Sequence, residues 1–452
     1  MPSTPFDSAL FRDMFGTPEM RAVFSDEALV GRYVEVEVAL ARAEARCGII
    51  PAEAADAIAA AGGNAAFDWA RLKAETDNVG YPILAIVHQL AEMAGEAGRY
   101  VHWGATTQDI MDTASVLQVR AALNLVEADL DALRGILADL AARHRDTPMA
   151  GRTHLQQALP ITFGYKVAVW LSALDRHAER LVQLRPRVLL GQFAGAAGTL
   201  ASLDDDGFRV QEAFCAELGL GQPVITWHVA RDGLAEAVAF LGLVTGTLAK
   251  IATDIMLMMS TEFGGEVMEP FVKGRGASST MPQKRNPISS EIMLATAKAV
   301  RQQVALVLDA MVQDFERATG PWHLEWLALP EAFLLTASCL NQARFALSGL
   351  TVDAAQMRAN LGMSGGLIVA EAVMMAAAPA LGRQHAHDVV YDACRAAITS
   401  GRTLAEALVE VPEIVEALGG KEGVERRCDP ANYLGLAPAM VDRVLAQRRA
   451  VG

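Results

Sequence analysis

Cysteine is scarce and scattered. The five residues Cys47, Cys215, Cys339, Cys394 and Cys428 are spread over 452 positions with no Cys-x-x-Cys pair, which fits reduced, buried thiols in the cytoplasm. Long apolar runs are missing. The longest stretch free of charge, Val188 to Leu203, is glycine-rich and falls short of the ~18–20 apolar residues that cross a bilayer. The first residues, MPSTPFDSALFRDMFG, carry charges where a signal peptide needs an apolar core, so export is not expected. Sustained β alternation bounded by turn signals is hard to find, and there is no internal repeat or low-complexity linker. No glycine-rich nucleotide fingerprint follows a strand, and nothing calls for a cofactor. Net positive charge is lacking as well: the formal charge is -14 and the isoelectric point about 5.2. That balance argues against nucleic acid or an anionic membrane as the main partner. It leaves room for a small acidic substrate in a locally basic pocket.

The chain does contain helix, throughout. Apolar residues make up 52% and charged ones 20%, the composition of a folded protein, and the length predicts two or three domains. Leu123, Val126, Leu130, Leu133, Leu137 and Leu140 recur in alternating steps of three and four, the seam of a long bundle helix. Tyr165–Leu184, Leu234–Met259 and Ser289–Val312 also read as helical. The expected fold is all-α: an N-terminal helical domain over 1–104, a central long-helix bundle over 105–355 and a C-terminal helical domain over 356–452. The seam, with the segment DIMLMM, offers more apolar surface than one subunit can cover, which predicts a homotetramer.

Three breaks between helices concentrate polar residues. YVHWGATTQDIMDT holds His102, Thr106, Thr107, Gln108 and Asp109. GRTHLQQALP holds Thr153, His154 and Gln156. GRGASSTMPQKRNP holds Ser278, Ser279, Met281, Lys284 and Asn286, and a turn needs its glycine, serine and proline but neither Lys284 nor Asn286. Each precedes an expected helix, whose N-terminus could receive an anion or simply be capped by the hydroxyls. Three such loops separated by bundle-length helices point to one composite site. His385 and His387 form a His-x-His that a helix would splay apart, so no metal site is expected.

GASSTMPQKRNP resembles the Gly-Ser-Ser-x-Met-Pro-x-Lys-x-Asn signature of the fumarase/aspartase superfamily, with Ala277 where a glycine would precede the serines. GRTHLQ and HWGATTQDIMDT resemble its other two signature regions, in the expected order, and the resemblance spans essentially the whole chain. It implies three largely helical domains and homotetramers whose active sites are each built from three subunits. Adenylosuccinate lyases carry a histidine where this chain has Asp77 and Asn78 in TDNVGYP. The run GPWHLEW, with Trp322, His323, Glu325 and Trp326, and the ending DPANYLG are similar to 3-carboxy-cis,cis-muconate cycloisomerases instead. Some of those lack the histidine after Arg-Thr, whereas His154 is present here, as in the eliminating lyases.

The resemblance makes Ser278 the base or acid at the carbon beside a substrate carboxylate. A hydroxyl needs N–H donors and a cation, here Lys284, to ionise. His154 becomes the complementary acid. Thr106, Thr107, Thr153, Gln156, Met281, Asn286 and Lys284 would hold substrate, with Ser279 and His102 as further candidates. Arg231, in WHVARD, is a candidate anion contact. For His323, packing and substrate selection stay equally open. The expected activity is a cofactor-free cycloisomerase closing a lactone on a conjugated polycarboxylate. A C–N lyase releasing fumarate is the alternative, and a non-catalytic helical scaffold is disfavoured by the intact Ser278, Lys284, Asn286 and His154.

Overall fold

The protein, seen in a computed structural model, is described over residues 4–317 and 319–451. Helix dominates. An early helix α1 (Asp26–Arg46) is followed by the long helices α2 (Thr107–Arg143), α3 (Phe163–Val188), α4 (Asp232–Met259), α5 (Ile288–Ala310) and α6 (Pro321–Ser348), and later by α7 (Ala370–Leu381) and α8 (Arg383–Ser400). The all-α expectation therefore holds, and the helical segments read from periodicity are found to within a few residues.

Compactness divides the chain into two units. The first comprises residues 1–130, 177–249 and 292–341; the second comprises 131–176, 250–291 and 342–452. Each boundary between them falls inside one of the long helices. In the first unit Ala41, Ile50, Ala55, Ile58 and Leu90 form a core under α1. In the second, α7 and α8 pack around Val373, Val390, Leu404, Leu408 and Val424.

The leucine seam on α2 is buried from end to end, between 0% and 4% exposed. It therefore belongs to the chain's own interior and is not the uncovered surface from which a tetramer was expected. Apolar residues that do stay exposed lie elsewhere: Val182 on α3, Leu243 and Leu257 on α4, Leu308 on α5 and Leu327 on α6. Helix α4 is long and apolar enough to cross a bilayer by length and composition. Its Val238, Leu241, Val244, Leu248 and Ile255 are instead fully buried in protein, as in a core helix.

One local expectation fails. The GRTHLQQALP break is not an open loop but the end of a β-hairpin, Pro148–Thr153 paired antiparallel with Gln156–Thr162. Gly151 is required in it, because a Cβ there would stand 2.7 Å from the Leu159 carbonyl oxygen. The hairpin was hidden from periodicity because its strands carry a register shift between Ala150 and Arg152, which breaks the alternation of faces.

Candidate active site

In the first unit, the loop before α2 turns sharply. Ala105 N–H donates to the His102 carbonyl at 3.4 Å, and His102 itself has φ 64°, a region that bulky residues rarely enter. The side chain is half-buried, and its Nδ1 lies 2.6 Å from Glu37 Oε1 on α1. Burial would lower the imidazole, but the charge and hydrogen bond of Glu37, and then the charge of Asp109, raise it above the ordinary histidine value.

The start of α2 is already occupied. Asp109 is fully buried and accepts from the Thr106, Ala194 and Gly195 amides at 3.0, 3.1 and 2.9 Å, while His228 Nε2 lies 2.7 Å away. Of the two uses open to this helix end, an incoming anion or a cap, a carboxylate of the protein itself takes the cap. The Thr106 hydroxyl is left for another group, Arg317, whose guanidinium donates to it. Thr107 is half-buried at the first position of the helix.

Arg231 is not available for substrate. It is 2% exposed, and its fork is consumed by Asp112 (2.7 and 2.9 Å) and Glu325 (2.8 Å through Nε). Trp322 Nε1 donates to the same Asp112 at 3.1 Å. Burial opposes the guanidinium charge, but Asp112 and Glu325 outweigh it and hold Arg231 protonated. The anion contact read into WHVARD is therefore an internal ion-pair network.

His323 is exposed and stands in an aromatic cluster, its ring 4.3 Å from Trp326 and 6.0 Å from Tyr81. A cavity of about 260 Å³ is lined by Tyr33, Gly80, Met111, Trp322, Glu325 and Trp326 among others. Its only charged lining residue is Glu325, whose carboxylate is already met by Arg231, so the lining offers no free cation to a polycarboxylate.

In the second unit, His154 and Leu155 form the two-residue hairpin turn, with φ 52° and 62°. Positive φ at both central positions marks the tight turn that suits a twisted hairpin but is normally given to Asn or Gly. Thr153, His154, Leu155 and Gln156 are all exposed. The hairpin is anchored from below by Arg152, which pairs with the buried Glu266 at 2.9 and 2.7 Å and lies over the Phe263 ring at 4.6 Å. The polar tip is thus held out on a rigid base.

The signature loop is pinched at its neck. Ala277 bridges Arg285 and Asn286 N–H donates to the Gly276 carbonyl at 2.9 Å. Gly276 has φ 69°, and a Cβ there would meet the Asn286 carbonyl oxygen at 2.5 Å. Ala277 takes part in the extended bridge without positive φ, so the glycine of the signature is dispensable at that position.

Above the neck, Ser278 Oγ accepts from the backbone N–H of Met281 at 3.1 Å and of Thr280 at 3.3 Å. Backbone N–H groups so placed would stabilise negative charge on that oxygen. The expected cation is not on it: Lys284 is exposed, and among the described residues no hydrogen bond joins it to Ser278. Ser279 and Met281 are exposed and Asn286 is half-buried. The N-terminus of α5 is filled by buried Glu269, which accepts from Ser289 N–H at 3.2 Å and from Ser290 N–H and Oγ at 2.8 and 2.7 Å. Here again the helix end is closed to a substrate anion.

The predicted residues therefore form two groups: His102, Thr106 and Thr107 in the first unit, and the His154 turn with the Ser278 loop in the second. No hydrogen bond or ion pair among the described residues joins the His154 turn to the Ser278 loop. Glu37 and Arg317 were missed by the sequence reading. Glu37 is one acid among many on an amphipathic helix, while Arg317 lies just ahead of GPWHLEW, the run noted for Trp322, His323, Glu325 and Trp326.

The lyase family model matches residues 14–302, and the model of the adenylosuccinate lyase C-terminus matches residues 366–444. The chain is 48% identical to a 3-carboxy-cis,cis-muconate cycloisomerase of Pseudomonas aeruginosa, over 98% of this chain and 97% of that one. It is 49% identical to trans-aconitate decarboxylase 1 of Mycosarcoma maydis, over 99% and 90% of the two chains. Among solved structures, a fumarate lyase from Mesorhizobium superposes with TM-score 0.91 at 55% identity, covering 96% of this chain and 98% of that one. A 3-carboxy-cis,cis-muconate lactonizing enzyme from Pseudomonas putida gives TM-score 0.92 at 42% identity, covering 98% and 99%.

Proposed function

The chain belongs to the lyase family of the fumarase/aspartase superfamily, and on that premise we propose that it is a cycloisomerase of the 3-carboxymuconate type. A carboxylate oxygen of the substrate adds to a conjugated double bond to close a lactone, and the carbon beside another carboxylate takes up one proton. No group leaves, so the mass is unchanged. The observation that carries the reading is the Ser278 hydroxyl under two backbone N–H donors, because proton transfer beside a carboxylate needs a poised base or acid and stabilised negative charge. Thr106, Arg317 and His102 in the first unit, and Thr153, Gln156, Lys284 and Asn286 in the second, would hold the carboxylates. The substrates named for the two relatives, 3-carboxymuconate and aconitate, are both unsaturated tricarboxylates, which favours that class.

The site is proposed to be completed in a homotetramer, with the His102 loop, the His154 hairpin and the Ser278 loop supplied by different subunits in the cytoplasm. The division into segments 1–104, 105–355 and 356–452 is retained in this proposal.

The second reading is elimination with release of fumarate. It is favoured by His154, an exposed imidazole on a rigid turn that could protonate a leaving group, and by the 55% identity to a fumarate lyase. The deciding experiment incubates purified protein, without added metal or nucleotide, with 3-carboxy-cis,cis-muconate and follows products by mass spectrometry and NMR. A lactone of unchanged mass is expected, and His154→Ala should cost only ~10-fold, below the ~10²–10⁴ of a required general acid. Fumarate release from substituted succinates with no lactone formed would establish the second reading, and carbon dioxide release from trans-aconitate would establish decarboxylation instead.

A further inference from the structure

Two buried acids on α1 stand behind the His102 turn. Glu37 and Glu44 are seven residues apart, two turns along the same face of the helix. Glu37 is 2% exposed and Glu44 0%. Glu37 Oε1 meets His102 Nδ1 at 2.6 Å, whereas its Oε2 and both oxygens of Glu44 have no hydrogen-bond partner among the described residues.

Charge sorts the pair. An ionised carboxylate without a partner at zero exposure costs several kcal/mol, so such a group keeps its proton. Burial first, and then the charge of Glu37, push the Glu44 carboxyl up to about 9. Glu37 differs in having an imidazole against it. The charged groups acting on His102 are Glu37 from α1 and Asp109 from α2. Asp109 is shared with His228 and three backbone amides, so Glu37 is the anion in direct contact. With Nδ1 committed to Glu37, Nε2 is the nitrogen left to face a ligand, four residues from the Thr106–Arg317 pair. The left-handed backbone of His102 at φ 64° is a conformation that surrounding contacts must hold in place.

We propose that Glu37 is a positioning residue for the reaction: it holds His102 as an imidazolium whose Nε2–H binds a substrate carboxylate, while Glu44 stays a neutral acid that limits the buried pair to one negative charge. This rests on the function proposed above, through the placement of His102 at the substrate.

The first test needs no substrate. Deuterium exchange at the imidazole C2 position reports the titration of each histidine by peptide mass spectrometry, and the tryptic peptide Tyr100–Arg120 contains His102 as its sole histidine. Glu37→Gln should lower the His102 midpoint by about one pH unit or more, with Glu37→Asp restoring most of it, and Glu44→Gln should leave it within about 0.3 of the parent. An unmoved midpoint in both Glu37 variants, or an equal fall in Glu44→Gln, overturns the proposal.

The second test is calorimetric binding of tricarballylate, a saturated tricarboxylate, at about pH 6 and about pH 8. Glu37→Gln should weaken binding ~10-fold at the higher pH and less at the lower, where a larger share of the variant's imidazole is protonated. Equal weakening at both pH values, or none, overturns the carboxylate-binding role. Neither measurement depends on turnover, so a protein that binds as expected but forms no lactone refutes the cycloisomerase reading alone.

Discussion

Arg317 donates a hydrogen bond to the hydroxyl of Thr106 across 211 positions of sequence, and among the described residues it has no carboxylate partner. A half-buried guanidinium without a counter-ion is well suited to an incoming carboxylate, because it binds in a planar, two-pronged fashion. Arg317→Ala should raise KM and lower kcat/KM by ~10²-fold, and Arg317→Lys should recover only part, since charge returns without the fork. An unchanged KM in steady-state kinetics of Arg317→Ala would remove it from the site.

Ser278 and Ser279 are neighbours in sequence but not in environment. Only Ser278 Oγ lies under the Thr280 and Met281 amides, while Ser279 is exposed. Ser278→Ala should retain folding and substrate binding but lose at least ~10³-fold in kcat, with a smaller loss for Ser279→Ala. The opposite order would exchange their roles.

Arg231 should behave as a structural cation. Its removal leaves Asp112 and Glu325 buried without compensation, so Arg231→Ala should cost about 3–5 kcal/mol of stability, seen as a large fall in Tm. The KM of the folded fraction should stay near that of the parent. A raised KM at unchanged Tm would restore Arg231 to the substrate.

Glu44 gives a pH dependence of defined sign. Its folded-state value of about 9 stands above the ordinary 4.5, so between these values unfolding releases a proton that the folded protein keeps. Stability must therefore fall as pH rises through that window. Glu44→Gln has no such proton. Its Tm advantage should be absent below about pH 4.5, grow through neutrality to a few kcal/mol equivalent and level off near about pH 9. A Tm difference independent of pH would show that Glu44 is ionised in the folded state.

The helices were legible because burying a stripe on a long helix demands a repeat of three and four, and the α2 seam from Leu123 to Leu140 obeys it without a break. The signature loop was legible for another reason: turns that reverse tightly need particular residues, and Gly276 with its positive φ allows no substitute. The hairpin was not legible. A register shift interrupts its alternation, and its turn is made by His154 and Leu155, residues that rarely adopt the left-handed conformation this turn imposes.

By itself the sequence determined the helical class and the small set of hydroxyls, amides and cations from which a site could be made, since both follow from local periodicity and side-chain chemistry. Only the tertiary structure decided which charges are free. Arg231 and Arg317 are both arginines beside aromatic runs, yet one is enclosed by two buried carboxylates and the other faces a threonine hydroxyl. Glu37 and Glu44 share one helix face, yet only Glu37 meets an imidazole. Ionisation and availability depend on partners brought together from distant positions in the chain, and a one-dimensional pattern does not contain those partners.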